Sequence, residues 1–459
     1  MGHTRRLYLS FLPWMELTGR CHQRHYGPHI KEKVKMATTN EVLKIENLLL
    51  RFYTYEGVVE ALDGINLGIK AGEVLGLVGE TGCGKSVTSL SIMGLVPAPG
   101  VIEGGKIIYN YNGKPVDLVK QKDSFLREIR GDEVAMVFQE PRAYLNPVYT
   151  VEYQIGEALL QHRKKEMIKM ALDEIKKAQE NQLNKKLKNI EAEIEKLKIK
   201  GEKENQEKIK ELTKKIEQLK SDSSTKRSFA VTMYEKMLQN PDSFYVRFLA
   251  KIPIINRFKK WLKHAVKQEV IRILKAMQIA DPQRVAEMYP HELSGGMAQR
   301  VMIAMALACN PTLLICDEPT TNLDVTVQAQ ILELIRYLKE TYKSSILYIT
   351  HDLGVVAQLC ERVAVMYAGN VVELAYVKEL FKEPMHPYTT ALLESIPRPG
   401  KELKSIPGMV PSLISPPKGC RFHTRCRYAM PICETVKPEF LEVKEDHFVA
   451  CHLYGGHKK

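Results

Sequence analysis

The stretch Gly79-Glu80-Thr81-Gly82-Cys83-Gly84-Lys85-Ser86 constrains this chain more than any other. It matches the pattern of a glycine-rich phosphate-binding loop that ends in Lys-Ser. An apolar run, Glu73 to Val78, precedes it and a helical pattern, Lys85 to Leu95, follows it. The loop is therefore predicted to join a buried strand to a helix. Phosphate chemistry needs that order. Glycines let successive backbone N–H groups turn inward around phosphate oxygens, and the N-terminus of the next helix adds the positive end of its dipole. Residues Gly79, Glu80, Thr81, Gly82, Cys83, Gly84 and Val87 are expected to surround the phosphates of a nucleoside triphosphate. Lys85 neutralises the β- and γ-phosphates and Ser86 ligates Mg2+.

A second block completes the logic. Leu313 to Cys316 is an apolar run ending in Asp317 and Glu318. Asp317 is expected to hold Mg2+ through water, and Glu318 to act as general base toward the attacking water. Alone, an apolar run ending in two acids says little; paired with the glycine loop it says much. Val42 to Thr54, Val134 to Phe138, Ser345 to Ile349 and Val363 to Tyr367 read as further strands. Strands alternating with helices imply a parallel sheet covered by helices.

At Leu293-Ser294-Gly295-Gly296-Met297-Ala298-Gln299-Arg300 the sequence resembles the ATP-binding cassette family. The resemblance implies an α/β P-loop NTPase cassette: a parallel RecA-like sheet, an antiparallel β part and a helical subdomain. It implies that Ser294, Gly295 and Gly296 cap the γ-phosphate held by an opposing cassette, so that two cassettes pair head-to-tail. Gln139 then resembles the glutamine that touches Mg2+ and the water and senses the membrane partner. Asp324 resembles the aspartate at the dimer seam, with Asn322 standing where the family more often has Ala. His351 resembles the switch histidine at the γ-phosphate. Phe52 sits where an aromatic stacks on adenine, with Tyr53 and Tyr55 as rivals and an ordinary strand aromatic as the plain reading.

Residues 163–267 interrupt the cassette. They hold 28 of the chain's 67 Lys and Arg and 15 of its 54 Asp and Glu, which leaves 39 of each elsewhere. The excess of positive charge thus belongs to an insert, and the rest of the chain is neutral, which argues against a nucleic-acid-binding core. Within the insert Leu183, Leu187, Ile190, Ile194 and Leu197 are spaced 4-3-4-3, and Ile209, Leu212, Ile216 and Leu219 are spaced 3-4-3, around Gly201. That is the pattern of an antiparallel coiled-coil hairpin with arms of about 45 Å. Phe244 to His264 mixes aromatic and basic residues; it fits a helix packed on its own domain better than one lying on lipid. No run reaches the roughly 18 apolar residues of a membrane span.

Near the C-terminus Cys420, Cys426, Cys433 and Cys451 follow one another closely among prolines and basic residues. Four thiols suit a [4Fe–4S] cluster or, alternatively, Zn2+; no tight Cys-x2-4-Cys pair is present, which favours the cluster, and unligated thiols are the plain reading. The odd total of nine cysteines argues against a secreted disulfide scaffold.

Gln139-Glu140-Pro141, Leu145-Asn146-Pro147, Met297 to Ala304 and His386-Pro387-Tyr388-Thr389 narrow the resemblance to the D-type ATPase of oligopeptide and dipeptide importers. It covers about residues 39–162 and 268–455. The domains expected are an unstructured extension (1–38, with Met36 as the natural start), a nucleotide-binding domain (39–162 and 268–385), the basic hairpin insertion (163–267) and a C-terminal importer-type region with the four-cysteine site (386–459). The resemblance implies two integral-membrane permease subunits as partners, a second cassette of F-type or a second copy, an extracellular binding protein acting indirectly, and a place at the cytoplasmic face of the cell membrane. Nickel or another small solute is an alternative cargo. A chromosome-associated ATPase with a coiled coil between the same motifs is a more distant alternative.

Overall fold

The computed structural model describes residues 41–200, 203–225, 229–240, 259–321, 323–397 and 405–455. The 1–38 extension, the turn at Gly201, residues 244–258 of the aromatic stretch and Asn322 lie outside them.

Among the described residues, twelve strands form two sheets. A four-stranded antiparallel sheet has the order β2-β1-β4-β5, from β1 (Glu41–Thr54), β2 (Gly57–Lys70), β4 (Gly100–Tyr111) and β5 (Lys114–Asp117). The eight-stranded sheet runs β11-β12-β10-β9-β3-β8-β7-β6. Its strands are β3 (Val74–Val78), β6 (Val134–Val137), β7 (Leu313–Asp317), β8 (Ser345–Thr350), β9 (Arg362–Tyr367), β10 (Asn370–Tyr376), β11 (Leu441–Lys444) and β12 (His447–Val449). Neighbours from β6 to β9 pair in parallel, and β10, β12 and β11 extend the sheet antiparallel. Every residue of β3, β7, β8 and β9 is buried. They are sandwiched on both faces, which is why they read as continuous apolar runs rather than alternating ones.

Helices α1 (Lys85–Met93), α2 (Asp123–Ile129), α3 (Pro141–Tyr144) and α4 (Val151–His162) precede the insertion. Residues 164–276, which run past the expected end of the insertion at 267, form α5 (Lys164–Lys200), α6 (Lys203–Thr225), α7 (Phe229–Gln239) and α8 (Lys259–Ala276). After it come α9 (Pro282–Glu287), α10 (Gly295–Leu307), α11 (Val325–Tyr342), α12 (Leu353–Leu359), α13 (Val377–Lys382), α14 (Pro387–Glu394) and α15 (Ile432–Thr435). One core lies between the two sheets, with Leu43, Ile65, Leu75, Leu77, Ile315 and Ile349 in contact. A second lies on the other face of the large sheet, where Leu314, Val137 and Tyr348 meet Ile155, Val270, Ile303 and Ile335 of the helices.

In the insertion, the first turns of α5 are buried. Ile168, Ala171, Leu172 and Ile175 pack with Val231 and Tyr234 of α7 and Ala265 of α8. Beyond them the arms reach into solvent. In α5 from residue 181 onward, the described side chains that are not exposed are Leu183, Leu187, Ile190, Ile194 and Leu197. In α6 the half-buried apolar residues are Ile209, Leu212, Ile216 and Leu219. With 37 and 23 residues, the two helices span about 55 and 35 Å at 1.5 Å per residue. At the root, Arg163 Nη1 donates to Glu269 Oε1 (3.2 Å) and to Ala308 O (2.8 Å), while Arg272 grips the same carboxylate with two bonds of 2.7 Å.

The C-terminal region is fastened to the large sheet. The carboxylate of Glu373 in β10 is fully buried; it accepts from Met385 N (2.8 Å) and His386 N (2.9 Å) and lies 2.8 Å from His447 Nε2. Burial lowers the pKa of His386 to about 4, which keeps the ring neutral, and its Nδ1 accepts the N–H of Tyr388 at the start of α14.

Candidate functional site

The register of the parallel strands assembles the site. Val78 lies opposite Thr350, Asp317 opposite Ile349 and Val137 opposite Cys316. The loops that follow β3, β8, β7 and β6 therefore leave from one edge of the sheet. Those loops carry Gly79 to Ser86, His351, Glu318 and Gln139. Ligands of open parallel α/β sheets bind at this carboxyl edge.

In the glycine loop, Gly79 has φ 155° and Gly84 φ 104°. A Cβ at Gly79 would stand 2.2 Å from Met366 O, and one at Gly84 would stand 2.9 Å from Ala61 O. Both positions need glycine for backbone conformation and for close approach. Lys85 is buried and donates to Gly79 O (2.8 Å) and Glu80 O (3.1 Å), so its ammonium is held inside the loop by the loop's own carbonyls. Cys83 is buried, whereas Thr81, Gly82 and Ser86 face solvent and Val87 is half-buried. The Ser86 hydroxyl donates to Asp317 Oδ1 at 3.1 Å. Burial raises the pKa of Asp317; the Ser86 bond opposes this, and the neighbouring Glu318 adds to it.

Glu318 is the hub. Gln139 Nε2 donates to its Oε2 (3.1 Å), the Thr321 hydroxyl donates to the same oxygen (3.0 Å), and His351 Nδ1 lies 3.1 Å from its Oε1. Its backbone sits at φ 43°, in the left-handed region, and its N–H is tied to Ile349 O at 2.9 Å. A non-glycine residue there costs about 1–3 kcal/mol and is held by its surroundings. Gln139, His351 and Glu318 were expected from the sequence and the structure brings them together. Thr321 was not; its only sequence signal is its place three residues after Glu318.

The signature residues form a separate group. Ser294 caps α10, accepting Met297 N at 3.3 Å, and Ser294 and Gly295 are exposed. Arg142 in α3 donates to Leu293 O at 2.5 Å, joining the segment after Gln139 to the signature. Asp324 caps α11 through Val327 N (2.9 Å) and is exposed. Among the described residues no hydrogen bond or ion pair links Ser294, Gly295, Gly296 or Asp324 to the glycine loop of the same chain. Phe52 is half-buried in β1 between Val59 of β2 and Gly100 of β4, while Tyr53 and Tyr55 are exposed.

Cys420, Cys426, Cys433 and Cys451 line one small cavity with His386, His423 and His452. Among the described residues no group of three or more His, Cys, Asp or Glu stands in a metal-ligating arrangement. The expected [4Fe–4S] or zinc ligand set is therefore not formed by these side-chain positions. Burial raises the thiol pKa values of Cys420 to about 12 and Cys451 to about 11, and mutual repulsion of the four sulfurs adds to it. Backbone N–H groups point at the sulfurs: Tyr428 N lies 3.4 Å from Cys426 Sγ and Met430 N 3.5 Å from Cys433 Sγ. No helix among the described residues is long and apolar enough to cross a membrane.

Comparison with known proteins agrees with this geometry. The ABC transporter family model matches residues 62–199 and 183–321, and that of the oligopeptide/dipeptide transporter C-terminal region matches 372–433. A probable peptide ABC transporter ATP-binding protein of Sinorhizobium fredii is 39% identical over 415 residues, 89% of this chain and 94% of the relative. The dipeptide transport ATP-binding protein DppD of Bacillus subtilis is 37% identical over 417 residues, 90% and 95% of the two chains. The oligopeptide transport ATP-binding protein OppD of the same organism is 37% identical over 423 residues, 91% and 90%. With the glycine loop, the Asp317–Glu318 pair and the signature on one sheet edge and one helical subdomain, the chain belongs to the ATP-binding cassette transporter ATPases, in the branch that carries the oligopeptide/dipeptide transporter C-terminal region.

Proposed function

We propose that this chain is the ATP-binding and ATP-hydrolysing subunit of a membrane importer for oligopeptides or dipeptides, working at the cytoplasmic face of the cell membrane. The observation that carries the catalytic part is the meeting of Gln139, Thr321 and His351 on the Glu318 carboxylate, next to the Ser86–Asp317 pair. The C-terminal match and the peptide-transport names of the relatives support the cargo class and favour peptides over nickel or another small solute.

In the mechanism, ATP seats its phosphates in the N–H groups of Gly79 to Val87, and Lys85 exchanges its two carbonyl partners for β- and γ-phosphate oxygens. Ser86, Asp317 and Gln139 would hold Mg2+, which would supply charge neutralisation at the phosphates. Glu318 accepts a proton from water as the water oxygen bonds to the γ-phosphorus and the bond to ADP breaks, giving ADP and phosphate. His351 holds the γ-phosphate and, with Gln139, keeps Glu318 and the water in line. Ser294, Gly295 and Gly296 serve the ATP of a second cassette, an F-type partner or a second copy, with Asp324 at the seam. Phe52 is assigned to the adenine.

For the four cysteines we propose a metal centre, a [4Fe–4S] cluster in preference to zinc; the side-chain positions described above do not form its ligand set, so the thiols would have to turn toward one point to bind it. Their shared cavity and the N–H groups aimed at sulfur support this, because such bonds stabilise thiolates. Iron, sulfide and zinc analysis of anaerobically purified protein tests it; metal-free protein of full stability would defeat it. Co-purification from native membranes tests the larger reading. Recovery with two permease subunits, a second cassette and a peptide-binding protein is the expected result, and recovery with a solute importer of another class would overturn the cargo assignment.

A further inference from the structure

Two contacts from the C-terminal region converge on one residue of the glycine loop. The backbone N–H of Glu80 donates to the Tyr388 hydroxyl at 3.0 Å. The Glu80 carboxylate is gripped at both oxygens by Arg425, Nη1 to Oε2 at 2.8 Å and Nη2 to Oε1 at 3.2 Å. Arg425 is itself fixed. Its Nε donates to Pro407 O (2.8 Å), its Nη1 also reaches the Tyr367 hydroxyl (3.2 Å), and its side chain is 4% exposed. Tyr367, Tyr388 and Phe422 pack ring against ring, with centroids 4.6 to 5.4 Å apart, and hold both phenols in place. On its other side Glu80 presents its carbonyl to Lys85 Nζ (3.1 Å) and to Cys83 N (3.3 Å).

We propose that Tyr388 and Arg425 are positioning residues for ATP binding: they clamp Glu80 and so hold the glycine loop and the Lys85 ammonium in the arrangement that receives the phosphates. The inference rests on the assignment of the loop as the ATP site. A forked, charge-assisted pair fixes both position and orientation of the carboxylate. The Tyr388 hydroxyl satisfies an N–H that would otherwise compete for a different loop conformation. A loop held before ligand arrives spends less of the binding free energy on ordering. The effect falls on affinity, because the groups around Glu318 are set by β6, β7 and β8, and among the described residues no hydrogen bond joins them to the clamp. Tyr388 belongs to the His386-Pro387-Tyr388-Thr389 stretch, and Arg425 lies between Cys420 and Cys426, so the C-terminal region is in this sense part of the nucleotide site.

The test measures ATP binding to the full-length chain together with steady-state ATPase of the assembled transporter. Arg425→Gln is expected to raise the ATP Kd and KM about tenfold and to leave kcat within about twofold. Tyr388→Phe is expected to raise both constants about threefold, and Arg425→Lys to recover part of the loss seen with Gln. Glu80→Gln combined with Arg425→Gln should be no weaker in binding than the weaker single variant, since both remove one interaction. Unchanged Kd and KM in Arg425→Gln and Tyr388→Phe, with only a lower unfolding midpoint, would overturn the proposal. Should Arg425→Gln not fold, Tyr388→Phe decides by the same readout. Lys85→Ala separates the two levels. If it binds ATP normally, the loop's assignment fails; if it loses ATP while the clamp variants bind as wild type, the clamp alone fails.

Discussion

His351 Nδ1 stands 3.1 Å from Glu318 Oε1, which joins the residue after β8 to the residue after β7 across one step of the parallel sheet. His351→Ala is expected to lower kcat by about a hundredfold or more and to change KM far less, as befits a group that acts on the reacting phosphate and the base. Steady-state ATPase assays of the assembled transporter check this. A change confined to KM would place His351 in nucleotide binding alone.

Glu269 gives a pH-dependent prediction. Burial would raise its pKa, but Arg272 and Arg163 outweigh burial and hold it below its ordinary value. A carboxyl depressed in the folded state contributes stability that is present above the unfolded value of about 4.3 and is lost as pH falls through the lower folded value. Glu269→Gln should therefore cost about 2 kcal/mol near neutral pH, because Arg163 and Arg272 lose charge-assisted bonds at a buried site while Arg163 keeps its pair with Glu166 (2.6 Å). It should also flatten the loss of stability below about pH 4.3. Chemical denaturation across pH reads both; equal slopes for wild type and variant would contradict the assignment.

The insertion divides into a packed root and exposed arms, and the two should respond differently to truncation. Ile168→Ala, in the cluster with Tyr234 and Ala265, should destabilise by about 3 kcal/mol. Leu187→Ala, at a half-buried arm position, should cost under about 1 kcal/mol and leave ATPase unchanged. Denaturation midpoints with ATPase rates check the pair. Equal costs would mean that the arms are packed as tightly as the root.

The sequence made the catalytic edge legible because its strands are buried on both faces. Val134 to Phe138, Leu313 to Cys316 and Ser345 to Ile349 stand out as apolar runs, and a residue of the site follows each within two positions. β2 and β4 carry no clear strand pattern, being half-exposed and interrupted by glycines such as Gly64, Gly104 and Gly105. β11 and β12, of four and three residues, are too short to carry a pattern. The half-buried positions of α5 from residue 181 onward fall at the 4-3-4-3 spacing of the sequence, whereas the burial of Ile168 and Ile175 depends on α7 and α8, which lie far along the chain. The Glu80–Arg425 pair spans 345 residues, and no local pattern predicts such a contact. Number and proximity in sequence suggest a ligand set for the cysteines; the four residues line one cavity, but spacing alone does not fix ligating geometry.

The central claim is that Glu318 is the base of an ATPase whose site closes between two cassettes, and the Glu318→Gln variant tests it most directly. Gln keeps the size and hydrogen-bonding reach of the side chain but cannot take a proton from water. The measurement is single-turnover hydrolysis of ATP with simultaneous sizing of the complex. With Glu318 as the base, the variant should retain ATP binding, accumulate a closed pair of cassettes and lose turnover by about a hundredfold or more. Hydrolysis by Glu318→Gln at the wild-type rate would contradict it.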